Sequence, residues 1–345
     1  MNELIRTLIV DDSAFVRKVV REMLSRSPYI EVVGAARDGQ EALEMAQELR
    51  PHVITCDLMM PRLDGVGFVR EQMSRHPLPI LILTSSPQDG GLALEALEAG
   101  AVDFIQKPSA LATDEIQNIR EDLVEKVKAA ARAPVAELAL ANGMERAVPA
   151  FAPRNLKVDI VLIGISTGGP QALRKLIPQF PADFPVPIAI VLHMPTGYTK
   201  AYAQKLDEVS GITVKEARDG DTLQPGHALL AQAGRHLTLR RAPAGHVIAQ
   251  LSMQPFESLH RPSVDVLFQS AAELYHQKVL GVVMTGMGND GTQGAAWIKS
   301  QGGFILTEAE ESCVIYGMPR AVVESGSSDL SVPLNGMAKA IMERL

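Results

Sequence analysis

The sequence predicts two consecutive α/β domains, each built on a largely parallel sheet. Strand-like apolar runs alternate with helix-period segments five times in the first 125 residues, and the alternation resumes after residue 154. A chain of 345 residues is also long for a single core, so two domains are expected.

In chain order, residues 4–10 read as a buried strand ending at Asp11 and Asp12, and Ser13 is placed to cap a helix to about Leu24. Strands follow at 30–36, 53–57, 79–85 and 102–105. Helices lie between them, near 38–49, 65–75 and 91–99, with a last one at 112–130. This is the pattern of a five-stranded, doubly wound parallel sheet, assigned to residues 1–125. Alanine enrichment with Pro134, Gly143, Pro149 and Pro153 marks residues 126–153 as a helix tail running into a linker. In the second domain, 154–345, strands are expected at 158–165, 187–192, 278–285 and 304–308. Helices should begin near Pro170, Gly197, Pro262, Gly291 and Met318, with one more at the C-terminus. Residues 212–251, rich in Asp-Gly and Pro-Gly turns, read as an antiparallel β-meander inserted in this mainly parallel sheet.

Composition narrows the class of molecule. A net charge of -7 without a basic run argues against nucleic-acid binding. Cys56 and Cys313 are too few for a disulfide framework and lack metal-ligand spacing. Apolar runs are too short to insert in a membrane, and the N-terminus does not resemble a signal peptide, so a cytoplasmic protein is expected.

The ends of the first-domain strands carry polar groups that a parallel sheet brings to one edge: Asp11, Asp12, Asp57, Thr84 and Lys107. Clustered carboxylates repel unless protonated or neutralised, and hard oxygen ligands suit Mg²⁺. Any one of them alone reads as a cap or turn former; the ordered set does not. With Asp57-Leu58-Met59-Met60-Pro61, Asp64-Gly65, Thr84-Ser85 and Lys107-Pro108, the segment resembles the receiver domain of bacterial response regulators. The resemblance implies Asp57 as phosphoacceptor, with Thr84 and Lys107 as phosphoryl contacts. Asp11, Asp12, Asp57 and the Met59 carbonyl become Mg²⁺ ligands. Phe104 matches an aromatic switch position, though a packed core aromatic is an equal reading, and Cys56 reads as a small buried hydrophobe.

In the second domain Gly164-Ile165-Ser166-Thr167-Gly168 has the spacing of a nucleophile elbow, which lifts a serine hydroxyl on a tight strand-to-helix turn. Glycine-rich turns of this kind also cradle phosphates, so a non-catalytic phosphate- or nucleotide-binding output domain is the alternative. His193 follows an apolar strand and Asp290 another, both reaching the edge that bears Ser166. Serine, histidine and aspartate there are placed to form a nucleophile–base–orienter relay, although singly His193 also reads as an ordinary strand-end histidine and Asp290 as a helix cap, and their chain order departs from that of α/β-hydrolases.

With Leu192-His193-Met194-Pro195, Arg261-Pro262-Ser263-Val264-Asp265 and the run Leu280–Gly291, the domain resembles the catalytic domain of chemotaxis protein-glutamate methylesterases, the CheB family. The resemblance implies Ser166, His193 and Asp290 as the catalytic set, with the Met287 amide and the region of Thr167 as oxyanion donors and His260–Arg261 close by. It implies γ-methyl esters of glutamate on chemoreceptor cytoplasmic domains as substrates, glutamine deamidation as a side activity, and no cofactor in this domain. A chemotaxis histidine kinase is the implied phosphodonor. The unphosphorylated receiver is then expected to restrain the serine site and phosphorylation to release it.

Overall fold

The computed structural model describes residues 4–85, 90–107, 113–133, 135 and 158–345. The chain divides into two compact units, Met1–Glu145 and Arg146–Leu345. Most of the expected linker, like Pro108, lies outside the described residues.

The first unit is a five-stranded sheet of β1 (Ile5–Val10), β2 (Ile30–Ala36), β3 (Val53–Asp57), β4 (Ile80–Thr84) and β5 (Asp103–Gln106). All pairs are parallel, in the order β2-β1-β3-β4-β5. Every residue of β3 and β4 is buried, because helices cover both faces of a sheet of this kind. The connecting helices are α1 (Ala14–Leu24), α2 (Gly39–Leu49), α3 (Gly65–Arg75), α4 (Gly90–Glu98) and α5 (Thr113–Ala130). Ser13, Asp38 and Asp64 cap the first three, each accepting from backbone N–H groups of the opening turn.

The second unit carries seven parallel strands. In chain order they are β6 (Ile160–Ile165), β7 (Ile188–Leu192), β8 (Thr213–Glu216), β9 (His227–Leu230), β12 (Val279–Val283), β13 (Phe304–Glu308) and β14 (Leu330–Val332). The strand order is β14-β13-β12-β6-β7-β9-β8. Its helices are α6 (Gly169–Leu176), α7 (Thr199–Glu208), α8 (Val264–Tyr275), α9 (Thr292–Ser300), α10 (Met318–Glu324) and α11 (Leu334–Met342). The core packs α8 residues Val264, Leu267 and Phe268 with Ile160 and Leu162 of β6 and Val279 of β12.

The expected meander of 212–251 divides in two. Only β10 (His236–Arg241) and β11 (Val247–Ser252) form an antiparallel hairpin, while β8 and β9 extend the main sheet in parallel. Asp-Gly and Pro-Gly signals mark where a chain turns and do not dictate strand direction. Direction here follows burial: β9 residues Ala228–Leu230 are buried alongside β7, where they satisfy its open edge. The three-residue edge strand β14 was not expected, being too short for a period-2 signal. Among the described residues no helix is long and apolar enough to cross a membrane.

Candidate active site and acidic site

Register brings the second-unit residues together. Ile165 pairs with Leu192 on one side of β6, and Gly164 with Val283 on the other. Ser166, His193 and Thr285 therefore leave three adjacent strand ends. Chain order reverses at β6, which has β7 on one flank and the much later β12 on the other. Such a switch point opens the crevice where parallel sheets place their ligands.

The turn after Ser166 is tight. Gly169 N–H donates to the Ser166 carbonyl at 2.6 Å, and Gly168 takes φ +78°, a conformation that a side chain disfavours. Ser166 N–H donates across to the Thr285 carbonyl at 3.0 Å. Gly286 comes so close that a Cβ there would stand 2.7 Å from Ser166 Cβ and 2.6 Å from Met318 Sδ. Gly286, at the start of the glycine-rich run 286–291, thus packs directly on the serine turn.

His193 Nε2 lies 2.8 Å from Asp290 Oδ2, so the neutral ring carries its hydrogen on Nε2. Its Nδ1 is buried without a hydrogen-bond partner, leaving it as the nitrogen available toward the Ser166 strand end. Asp290 is itself held from several directions. Oδ2 also accepts from Val264 N–H at 2.7 Å, while Oδ1 accepts from Ser263 Oγ at 2.8 Å and Asp265 N–H at 3.0 Å. These donors form the first turn of α8, whose dipole favours an anion there. Burial alone would push the Asp290 carboxyl up, but the His193 hydrogen bond and charge, with the two amides, hold it well below the usual carboxylate range. Burial, and then the Asp290 charge, push the adjacent Asp265 carboxyl up to about 6 against the Gly294 and Gly291 amides.

Of the two expected oxyanion donors, the Met287 N–H makes no hydrogen bond within the described residues. Thr167 is buried, and its carbonyl accepts from the Thr285 hydroxyl at 3.0 Å. His260 stacks on His193 with ring centroids 4.2 Å apart, and Arg261 lies over the Phe256 ring and donates to the Phe256 carbonyl. Motif reading did not find four further contributors: Ser263, His236, Thr285 and Glu308. Fully buried His236 accepts from Ser263 N–H on Nδ1 and donates from Nε2 to the Pro255 carbonyl, so it ties down both sides of the loop that carries His260. For Ser263 a signal existed, a serine ahead of an apolar helical run, which reads as an N-cap. The others act across sequence distances that no local pattern encodes.

In the first unit, oxygens of Asp11, Asp12 and Asp57 lie within 4.8 Å of one another. Lys107 Nζ sits 2.8 Å from both Asp11 Oδ2 and Asp57 Oδ2. Burial and the Asp11 charge push the Asp57 carboxyl up, with Lys107 and the Met59 amide opposing. The Lys107 ammonium is raised despite burial, because those two carboxylates favour its charged form. One ammonium facing three carboxylates leaves the cluster short of positive charge, and its hard oxygen donors suit a divalent cation. Thr84 is fully buried at the end of β4, and its carbonyl accepts from Lys107 N–H at 2.7 Å. Gly65 packs against the Asp57 carbonyl, where a Cβ would stand 2.1 Å away. Met59 is 60% exposed beside Asp57, whereas Phe104, 1% exposed, is packed in the core.

Comparison with known proteins adds to this geometry. The family model described as CheB methylesterase matches residues 161–341, and that of the response regulator receiver domain matches residues 7–121. The chain is 48% identical over 335 residues to a Myxococcus xanthus protein-glutamate methylesterase/protein-glutamine glutaminase 5, covering 96% of each chain. It is 44% identical to a Symbiobacterium thermophilum protein-glutamate methylesterase/protein-glutamine glutaminase, covering 98% of this chain and 96% of that one. The crystal structure of the Thermotoga maritima CheB methylesterase catalytic domain is similar with a TM-score of 0.53 and 42% identity, covering 55% of this chain and 99% of that one.

Proposed function

This chain belongs to the CheB methylesterase family, and from that premise we propose that it hydrolyses γ-methyl esters of glutamate side chains on chemoreceptors, under control of its receiver domain. The products are receptor glutamate and methanol. The names of its relatives pair this activity with glutaminase, and the same chemistry on a receptor glutamine releases ammonia. The reaction belongs to the cytoplasm, where receptor signalling domains and a chemotaxis histidine kinase are its partners.

The observation that carries this reading is the 2.8 Å pair of His193 and Asp290 with a buried, unpartnered Nδ1 on the strand end beside Ser166. Ser166 Oγ attacks the ester carbonyl while His193 Nδ1 takes its proton. Asp290 holds the tautomer and stabilises the imidazolium that results. The Met287 N–H, with the Thr167 segment, meets the oxyanion. Collapse breaks the C–O bond to methoxide, which takes the proton from His193 and leaves as methanol. Water, deprotonated by the same nitrogen, then attacks the acyl-enzyme; glutamate departs and Ser166 regains its proton. The relay differs from the usual one in that Nε2 faces the carboxylate and Nδ1 serves as base.

In the receiver, Asp57 is the phosphoacceptor, and Thr84 and Lys107 contact phosphoryl oxygens. Asp11, Asp12, Asp57 and the Met59 carbonyl would hold Mg²⁺, which supplies charge neutralisation for phosphoryl transfer when bound. The domain limits 1–125, 126–153 and 154–345 belong to this reading.

Methanol release from methylated receptor membranes tests it. Ser166→Ala should abolish release above background, and equal release by variant and wild type would overturn the assignment of the nucleophile.

A further inference from the structure

Glu308 ends β13, and its side chain is completely buried. A carboxyl there has no water to solvate it, so protein donors must occupy its oxygens. Oε2 accepts from Thr285 N–H at 2.9 Å and Oε1 from Ser312 Oγ at 3.0 Å. Thr285 is the residue on which the serine turn rests. Its carbonyl takes the Ser166 N–H at 3.0 Å, and its hydroxyl donates to the Thr167 carbonyl at 3.0 Å and accepts from Ile315 N–H at 3.0 Å. Ser312 Oγ in turn accepts from Leu334 N–H at 2.9 Å, tying the same carboxyl to the start of α11.

We propose that Glu308 is a positioning residue for hydrolysis: by holding the Thr285 N–H it fixes the turn that seats Ser166 and presents the Met287 amide. This rests on the reading of Ser166 as nucleophile. Without the carboxyl, the Thr285 N–H would be a buried donor with no acceptor, and the turn would shift to find one.

The network tolerates both protonation states. As a carboxylate, Glu308 takes the Ser312 hydrogen. As an acid, its O–H donates to Ser312 Oγ, whose own hydrogen turns to the Ala309 carbonyl at 3.2 Å. Positioning therefore persists while charge changes. Burial pushes this carboxyl up to about 7, against the Thr285 amide, the Ser312 hydroxyl and Lys175. The other titratable groups facing it are Lys175 on α6, whose ammonium burial disfavours, and the Cys313 thiol, which burial and the Glu308 charge push up strongly. Glu310 and Glu311 act on that thiol as well.

The experiment measures kcat and KM of the full chain for methanol release on both sides of neutrality. Glu308→Gln retains an acceptor for Thr285 N–H and cannot ionise. It should stay within about twofold of wild-type kcat. Glu308→Leu should lose about tenfold to a hundredfold in kcat with KM little changed. Wild-type kcat in Glu308→Leu, or a Glu308→Gln kcat as low as that of Glu308→Leu, overturns the proposal. Should circular dichroism show Glu308→Leu unfolded, the folded Glu308→Gln variant decides: it keeps the acceptor for Thr285 N–H, and a kcat loss of about tenfold or more there overturns the proposal. Ser166→Ala, run alongside, separates the two readings: an active Ser166→Ala sinks the nucleophile, whereas an inactive one beside indifferent Glu308 variants sinks only the positioning role.

Discussion

Asp290 takes four donors: the His193 ring, the Ser263 hydroxyl and the amides of Val264 and Asp265. Bonds to a buried charge are worth about 1.5–3 kcal/mol each, so this carboxylate is held ionised and fixed against the ring of the proposed base His193. Asp290→Asn replaces an acceptor-only group by one that also donates, and it cannot stabilise the imidazolium. In steady-state methanol release it should lower kcat by about two to four orders of magnitude. Ser263→Ala removes one donor and leaves the rest, so a loss of about threefold to tenfold is expected. A Ser263→Ala loss as large as that of Asp290→Asn would mean that Ser263 does more than orient. At this scale the sequence placed Ser166, His193 and Asp290 after apolar strands, and the structure brings His193 and Asp290 within hydrogen-bond reach. It did not carry Glu308, which reads as an ordinary acidic residue until its complete burial is seen.

Among elements, the turn that begins at Gly286 is packed directly against the serine turn. Gly286→Ala would drive a methyl into Ser166 Cβ and Met318 Sδ, and neither β6 nor α10 can retreat without disturbing the core. We expect kcat to drop by about tenfold or more and stability by about 1–3 kcal/mol, read from kinetics and thermal melting. Wild-type kinetics would show that the turn yields more than packing suggests. Strands buried on both faces, such as β6 and β12, were legible as uninterrupted apolar runs. The direction of β8 and β9 was not, since turn residues record that the chain bends and not which edge it joins. The minimal strand β14 left no periodic trace.

At the scale of the whole molecule, one chain joins a receiver to a hydrolase, so chemistry and its control are inherited together. Phosphorylation at the proposed acceptor Asp57 would add charge and acceptor oxygens, and a tenfold change in activity needs only about 1.4 kcal/mol of difference between the states it selects. Asp57→Asn should therefore abolish stimulation by a small-molecule phosphodonor and leave basal methanol release intact. Stimulation that survives would place the acceptor elsewhere.

Sequence by itself determined the two-domain α/β plan, the strand ends that bear chemistry and the family resemblance, because apolar periodicity and short motifs are local properties of a chain. Tertiary structure alone decided which ring nitrogen of His193 faces Asp290 and which helix start holds that carboxylate. It also decided that a carboxyl on β13 supports the serine turn. Those outcomes depend on register and burial, which arise only when segments far apart in sequence pack side by side and exclude water.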